Sequence, residues 1–243
     1  MKYLFLCGCP RSGTTALWRT VSGHKKVAVG VERYIHRMIP KFTLTEDYFK
    51  KERFFDWKKG DTHFPGPDHI PYYAEIENRY DDCMYYGDKV PPMYVNYETL
   101  FNNFKGAHVL FIFRNIFDVA QSYLNRFDNP DDGWKKDHTV AVREWNTSLG
   151  KTIQLKKKGA KICCIEYEEF FYDNFDLSQI FTPLGLEMDD DFLFNFKKVI
   201  KHGGNLEKQR KDRLTTDQKR YIMHNANFAA YKTILDMKNS FEL

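Results

Sequence analysis

Long apolar runs are missing from this chain of 243 residues. No stretch approaches the ~20 consecutive apolar residues of a membrane-spanning helix. The opening KYLFLC (2–7) falls short of the ~7–15 residues of a signal-peptide core. The expectation is a cytoplasmic protein with no membrane partner. Cysteine is sparse and odd in number: Cys7, Cys9, Cys83, Cys163 and Cys164, with no pair of CxxC motifs. That excludes a disulfide framework and favours reduced thiols. Metal-ligand spacing is missing too. His24, His36 and His202 have no partners at ligand spacing, so no metal site is expected. Charge of one sign is weak, with 37 Lys and Arg against 33 Asp and Glu, a net +4. Such a balance admits an anionic ligand without announcing nucleic acid. Internal repeats and low-complexity tracts are absent, and 42% hydrophobic residues exclude global disorder.

What is present is an alternation. KYLFLC (2–7), KVAVGVE (26–32), a strand end in YGDKVPP (86–92), AHVLFIFR (107–114) and KICCIEYEEF (161–170, turning helical near Tyr167) read as buried strands. Between and after them the spacing predicts helices at 14–22, 45–60, 115–126, 138–158, 176–186 and 189–200. Another follows Pro91 and Pro92, and one more spans 214–235 behind a Thr215/Gln218 capping box. DTHFPGPDHIPYY (61–73), with three prolines, reads as irregular, and KKKGAK (156–161) as a solvated turn. Buried strands alternating with helices imply an α/β fold, three layers around a central parallel sheet. One domain spanning 1–243 is expected. Segments 33–85 and 127–160 would form flaps or inserts over a site.

GCPRSGTT (8–15) stands between the first strand and the first helix. Gly8 and Gly13 have the spacing of a Walker A loop, GxxxxGK[ST], but Thr14 replaces the lysine. Amides of such a loop and of the helix start converge on an anion. Arg11 can add a guanidinium. In nucleoside triphosphatases the lysine and a metal manage the charge of the β and γ phosphates. A sulfuryl group carries one negative charge fewer, so amides, hydroxyls and one arginine suffice. The loop therefore fits a phosphosulfate better than ATP.

CPRSGTTAL (9–17) resembles the 5′-phosphosulfate loop of the sulfotransferases that use 3′-phosphoadenosine 5′-phosphosulfate (PAPS). The resemblance implies the P-loop-like sulfotransferase fold, PAPS as donor, 3′-phosphoadenosine 5′-phosphate (PAP) as product, and Arg11, Ser12, Gly13, Thr14 and Thr15 around the donor. FIFRNIFDVAQSY (111–123) is similar to the family's 3′-phosphate motif, an Arg ending a core strand and a Ser eight residues on, here Arg114 and Ser122. The alternative for Arg114 is a surface ion pair with Asp118. CCIEYEEF (163–170) resembles a third family segment, read here as support for the sheet. KHGGNLEKQRKDRLT (201–215) stands where the family has a nucleotide-contacting loop, with Lys208 and Arg210 as candidates, or else as a solvated loop.

Glu32, in GVERY, and Lys89, in GDKVP, resemble residues of the tyrosylprotein and glycan sulfotransferases more than those of the cytosolic small-molecule branch. The resemblance implies Glu32 as general base, and Lys89 with Arg11 on the leaving-group charge. Surface pairing of Glu32 with Arg33 or Arg37 is the plain alternative. The acceptor would be a small molecule, glycan or peptide, not a nucleic acid. Two other readings are open. A metal-dependent P-loop kinase needs the loop lysine and a carboxylate after a core strand, where Arg114 stands instead. A non-catalytic nucleotide-binding module would tolerate loss of Glu32 and Lys89.

Overall fold

The computed structural model describes residues 1–63, 70–171, 175–208 and 213–241, the side chains of 70 and 202–208 excepted. Five parallel strands form its centre: β1 (Lys2–Cys7), β2 (Val27–Val31), β3 (Tyr85–Lys89), β4 (His108–Phe113) and β5 (Ile162–Glu166). Their spatial order is β2-β3-β1-β4-β5. α1 (Thr14–Ser22) follows β1; α2 (Ile35–Met38), α3 (Lys51–Phe55) and α4 (Ile70–Arg79) lie between β2 and β3. α5 (Tyr97–Asn103) leads to β4, and α6 (Ile116–Phe127) and α7 (His138–Lys157) lead to β5. α8 (Tyr167–Phe170), α9 (Ser178–Phe181), α10 (Asp190–Lys208), α11 (Thr216–Asn225) and α12 (Phe228–Asp236) complete the order.

The strands are continuous apolar runs because both faces are covered. Side chains alternate along β1, so Tyr3 and Phe5 share one face. There they meet Phe49 and Phe104 at ring distances from 4.9 to 5.9 Å. Burying a side chain such as Phe5, which is fully enclosed, stabilises the fold by roughly 1.5–3 kcal/mol. On the opposite face α1 packs against α10, and the Tyr85 hydroxyl donates to the Leu184 carbonyl at 2.8 Å. The layered α/β architecture is the expected one.

Local differences have identifiable causes. Segment 45–60 is no single helix: a 3₁₀ turn (Glu46–Phe49) and α3 are separated by Lys50 in extended conformation. On one helix, residues five apart would point ~140° from each other; the break lets Phe49 and Phe54 enter one aromatic cluster. Of 61–73, the part from Ile70 onward is helical. The predicted helix over 214–235 is two, parted at Ala226, whose backbone is extended. Asn146 of α7 holds that break, accepting from the Asn227 amide and donating to the Asn225 carbonyl, both at 2.8 Å. The capping box is present. Helix α10 runs on through Gly203 and Gly204 to Lys208, where a loop was expected. Lys156 is not in a solvated turn: it is buried, its ammonium donating to the carbonyls of Ile162 and Ser240.

Candidate active site

Parallel pairing puts all five strand ends along one edge, the usual ligand edge of such sheets. Register pairs Leu6 and Val31 with Lys89, Cys7 with Phe111, and Phe113 with Glu166. Gly8, Glu32, Lys89, Arg114 and Tyr167 therefore lie at or just past the ends of β1, β2, β3, β4 and β5.

The loop after β1 is held tightly. The Gly8 amide donates to the Pro91 carbonyl at 3.1 Å, and the Ser12 amide to Cys9 at 3.1 Å. A Cβ on Gly8 would stand 2.2 Å from the Ile112 carbonyl oxygen, so β4 admits no side chain there. Gly13, at φ +94°, would place a Cβ 2.4 Å from the Tyr167 ring. Arg11 adopts the left-handed region at φ 71°, a conformation that costs a non-glycine residue roughly 1–3 kcal/mol and clusters at ligand sites. Ser12 Oγ is buried, with no hydrogen-bond partner among the described residues. Thr14 is buried and Thr15 exposed at the start of α1.

Arg11 Nε donates to Ser122 Oγ at 3.0 Å. Burial and then the neighbouring Arg126 lower the Arg11 pKa, and Arg114 adds to the effect. Asp132, which accepts from Arg126 at 2.8 Å, opposes it. Arg114 is buried and stacks 3.7 Å above the Tyr167 ring, while its Nη2 lies 3.7 Å from Asp118. Its backbone is pinned as well: Trp145 donates to its carbonyl at 2.8 Å, and the next amide, Asn115, donates to Glu168 at 3.1 Å. From the 201–215 segment, the Arg213 amide donates to Gln121, next to Ser122, at 2.6 Å. The side chain of Lys208 and the whole of Arg210 lie outside the described residues.

Glu32 shares the left-handed conformation, at φ 51°. Its turn is tied on both sides. The Glu32 amide donates to the Lys89 carbonyl at 2.8 Å, and buried Asp88 accepts from the amides of Arg33 at 3.0 Å and Tyr34 at 2.8 Å. Burial pushes the Asp88 carboxyl up to about 7, against the pull of those two amides. Lys89 is buried, and its Nζ meets Glu32 Oε1 at 2.8 Å. Glu32 Oε2 faces His63 Nε2 at 3.3 Å. The pairing of Glu32 with Arg33 is not formed: Arg33 turns away to Asp61 at 3.2 Å, between the rings of Tyr34 and Trp57.

A family model, that of the sulfotransferase family, matches residues 4–190, from β1 to the start of α10. The chain belongs to the sulfotransferase family. No curated protein matches it. Among solved structures, the sulfotransferase domain of the Synechococcus PCC 7002 olefin synthase is similar at 20% identity and TM-score 0.51, covering 80% of this chain and 76% of that one. The sulfotransferase domain of the curacin biosynthetic pathway is similar at 14% identity and TM-score 0.52, covering 98% and 91%. Sulfotransferase STF9 from Mycobacterium avium is similar at 12% identity and TM-score 0.51, covering 97% and 75%. At these identities the likeness is one of fold. In this sulfotransferase, two site neighbours escaped the sequence reading. Tyr167, read as sheet support, also forms the wall between Gly13 and Arg114. His63 sits in irregular backbone without periodicity to mark it. The aromatics of segments 33–85 and 127–160 divide. Phe54 and Tyr73 are core, while Trp134 meets Tyr123 edge-on at 4.6 Å and lies 4.5 Å from the Arg126 guanidinium.

Proposed function

We propose that the chain moves a sulfuryl group from PAPS to a hydroxyl or amine of an acceptor, releasing PAP. The donor's charge would rest on Arg11, Ser12 and the amides from Gly13 to Thr15 at one end, and on Arg114 and Ser122 at the other. The fit is chemical. Buried Ser12 Oγ offers a proton that no described residue accepts, and Arg11 already bridges to Ser122. A donor of this kind supplies an activated sulfuryl group. Glu32 takes the acceptor's proton, and Lys89 and Arg11 stabilise charge on the departing oxygen. Segments 33–85 and 127–160 would shape the acceptor's approach, in one domain spanning 1–243.

The observation that carries this reading is the Glu32–Lys89 pair at 2.8 Å. It unites a base and an acid at the ends of β2 and β3, next to the anion loop of β1. Lys89 holds Glu32 Oε1, which fixes the carboxylate beside that loop and leaves its other oxygen, Oε2, as the proton acceptor. Calorimetry with PAP and with ATP, each with and without magnesium, tests the donor. Tight PAP binding that ignores magnesium is expected; magnesium-dependent ATP capture with indifference to PAP overturns it. Acceptor extracts incubated with labelled PAPS and read by mass then identify the sulfated product.

A further inference from the structure

Glu32 has two carboxylate oxygens, and the fold gives each a different partner. Oε1 meets Lys89 Nζ at 2.8 Å, and Oε2 meets His63 Nε2 at 3.3 Å. The two partners differ in access to water: the Lys89 side chain is 3% exposed and that of His63 49%. One oxygen is therefore committed to a buried cation. The other is coupled to a group that exchanges protons with solvent.

The place of His63 is built. Two residues earlier, Asp61 is fully buried and binds Arg33 at 3.2 Å, Arg37 at 3.0 Å and Arg53 at 2.6 Å. The Asp61 carbonyl also accepts from the His36 amide at 3.0 Å. Arg33 directly follows Glu32. The ion knot thus ties residues 61–63 to the very turn that carries Glu32, and a histidine in irregular backbone acquires a fixed address.

We propose that His63 is a positioning residue for Glu32 and its proton outlet. The inference rests on Glu32 acting as the base. As the acceptor O–H bond breaks, its oxygen bonds to sulfur. The bond from sulfur to the phosphate oxygen breaks, and that electron pair stays on the departing oxygen beside Lys89 and Arg11. The proton goes to Glu32 Oε2. His63, in its Nδ1–H tautomer, takes it at Nε2 and releases its Nδ1 proton to water, which restores the carboxylate; exchange of the ring protons with water then returns the Nδ1–H tautomer. Among the described residues, the charged and titratable groups around the pair include Lys89 and Asp88 from β3, Arg33 beside Glu32, Asp61, and His36 from α2, whose ring lies 5.7 Å from that of His63.

The test follows PAP release from PAPS by the full chain, with water as acceptor, across pH 5–9. Wild type is compared with His63→Ala, His63→Gln and Glu32→Gln, with PAP affinity measured in parallel. Both His63 variants are expected to lose roughly 10–100-fold in rate, the low end of what a positioned proton carrier contributes. They should flatten the low-pH limb and keep PAP affinity. Added imidazole should restore part of the rate of His63→Ala and none of that of Glu32→Gln. Either His63 variant keeping the wild-type rate and profile overturns the relay alone. Absence of both PAP binding and PAP release in every chain, wild type included, overturns the donor reading and the relay with it.

Discussion

Arg11 and Ser122 stand 111 residues apart in the chain and 3.0 Å apart in space. One belongs to the loop after β1, the other to α6 after β4, so the two segments proposed to hold the donor adjoin. The bond is to a charged donor, and such bonds contribute roughly 1.5–3 kcal/mol. Ser122→Ala is therefore expected to weaken PAP binding about 10-fold or more, by the conversion of ~1.4 kcal/mol per decade. Arg11→Ala should weaken it further. Calorimetry measures both. Ser122→Ala binding PAP as tightly as wild type would separate the two motifs.

At the other end of the site, Glu32→Gln should lower kcat by ~10²–10⁴ while leaving PAP affinity within a few-fold, since in the proposed reaction the side chain meets the acceptor and not the donor. Lys89→Met should also cost ~10² or more in kcat, as for loss of a preorganised charge stabiliser. Sulfation by Glu32→Gln at the wild-type rate would remove the base assignment.

The loop after β1 and the sheet were legible because their signals are local. GCPRSGTT carries its glycines at fixed offsets, and runs such as VLFIF are too apolar to be anything but buried. β1 and α1 lie where their patterns place them, to the residue. The Glu32–Lys89 contact was less open: each residue could be singled out, but their approach comes from the β2–β3 register, set by backbone pairing. His63 gave no signal at all. Its position depends on Asp61 gathering three arginines from three places in the sequence, which no window along the chain contains. The split of 45–60 was hidden for a related reason. Its polar–apolar rhythm is helical, and the competing demand comes from Tyr3 and Phe5 far upstream.

Gly13→Ala tests the loop geometry. The position combines φ +94° with a would-be Cβ 2.4 Å from the Tyr167 ring. Strain in the left-handed region and displacement of a ring that carries Arg114 both follow. PAP binding should fall at least ~10-fold, with a stability loss of roughly 1–3 kcal/mol. Tyr167→Ala in the same background opens the space but not the backbone conformation, so it should recover part of the stability and none of the Arg114 stacking. Equal stability of Gly13→Ala and wild type in denaturant would refute the strain.

Asp88 gives a pH signature. Its carboxyl moves from an ordinary 3.8 up to about 7, chiefly through burial. Between those values the folded chain keeps a proton that the unfolded chain has released. Its contribution to stability therefore falls as pH rises through that window, by up to ~1.4 kcal/mol per pH unit. Asp88→Asn cannot titrate, although it gives up one of the two acceptors that hold the Arg33 and Tyr34 amides. Urea midpoints at pH 5 and pH 8 should show wild type losing ground to the variant at the higher pH. An unchanged difference between the two conditions would mean that Asp88 does not titrate with folding.

The Asp61 knot is the place where one charge holds most. Arg33 and Asp61 are both fully buried, and Arg37 and Arg53 complete the shell. Burying charges is unfavourable, and the knot is tolerable because the fully buried Arg33 is paired with the one carboxylate, while Arg37 and Arg53 keep part of their side chains in water. Asp61→Asn keeps the shape and removes the counterion, so the Arg33 guanidinium is left charged in the interior. The expected loss is roughly 3–5 kcal/mol, as for breaking one side of a buried pair. Asp189→Asn is the control: its partner Lys25 is 66% exposed, and such surface pairs contribute ~0–1 kcal/mol. Urea unfolding of the two variants side by side reads the difference. Because the knot also carries residues 61–63, Asp61→Asn should blunt the effect of His63 on turnover at temperatures where the chain is still folded. A variant as stable as Asp189→Asn would show that the three arginines find other partners, and the address of His63 would then need another cause.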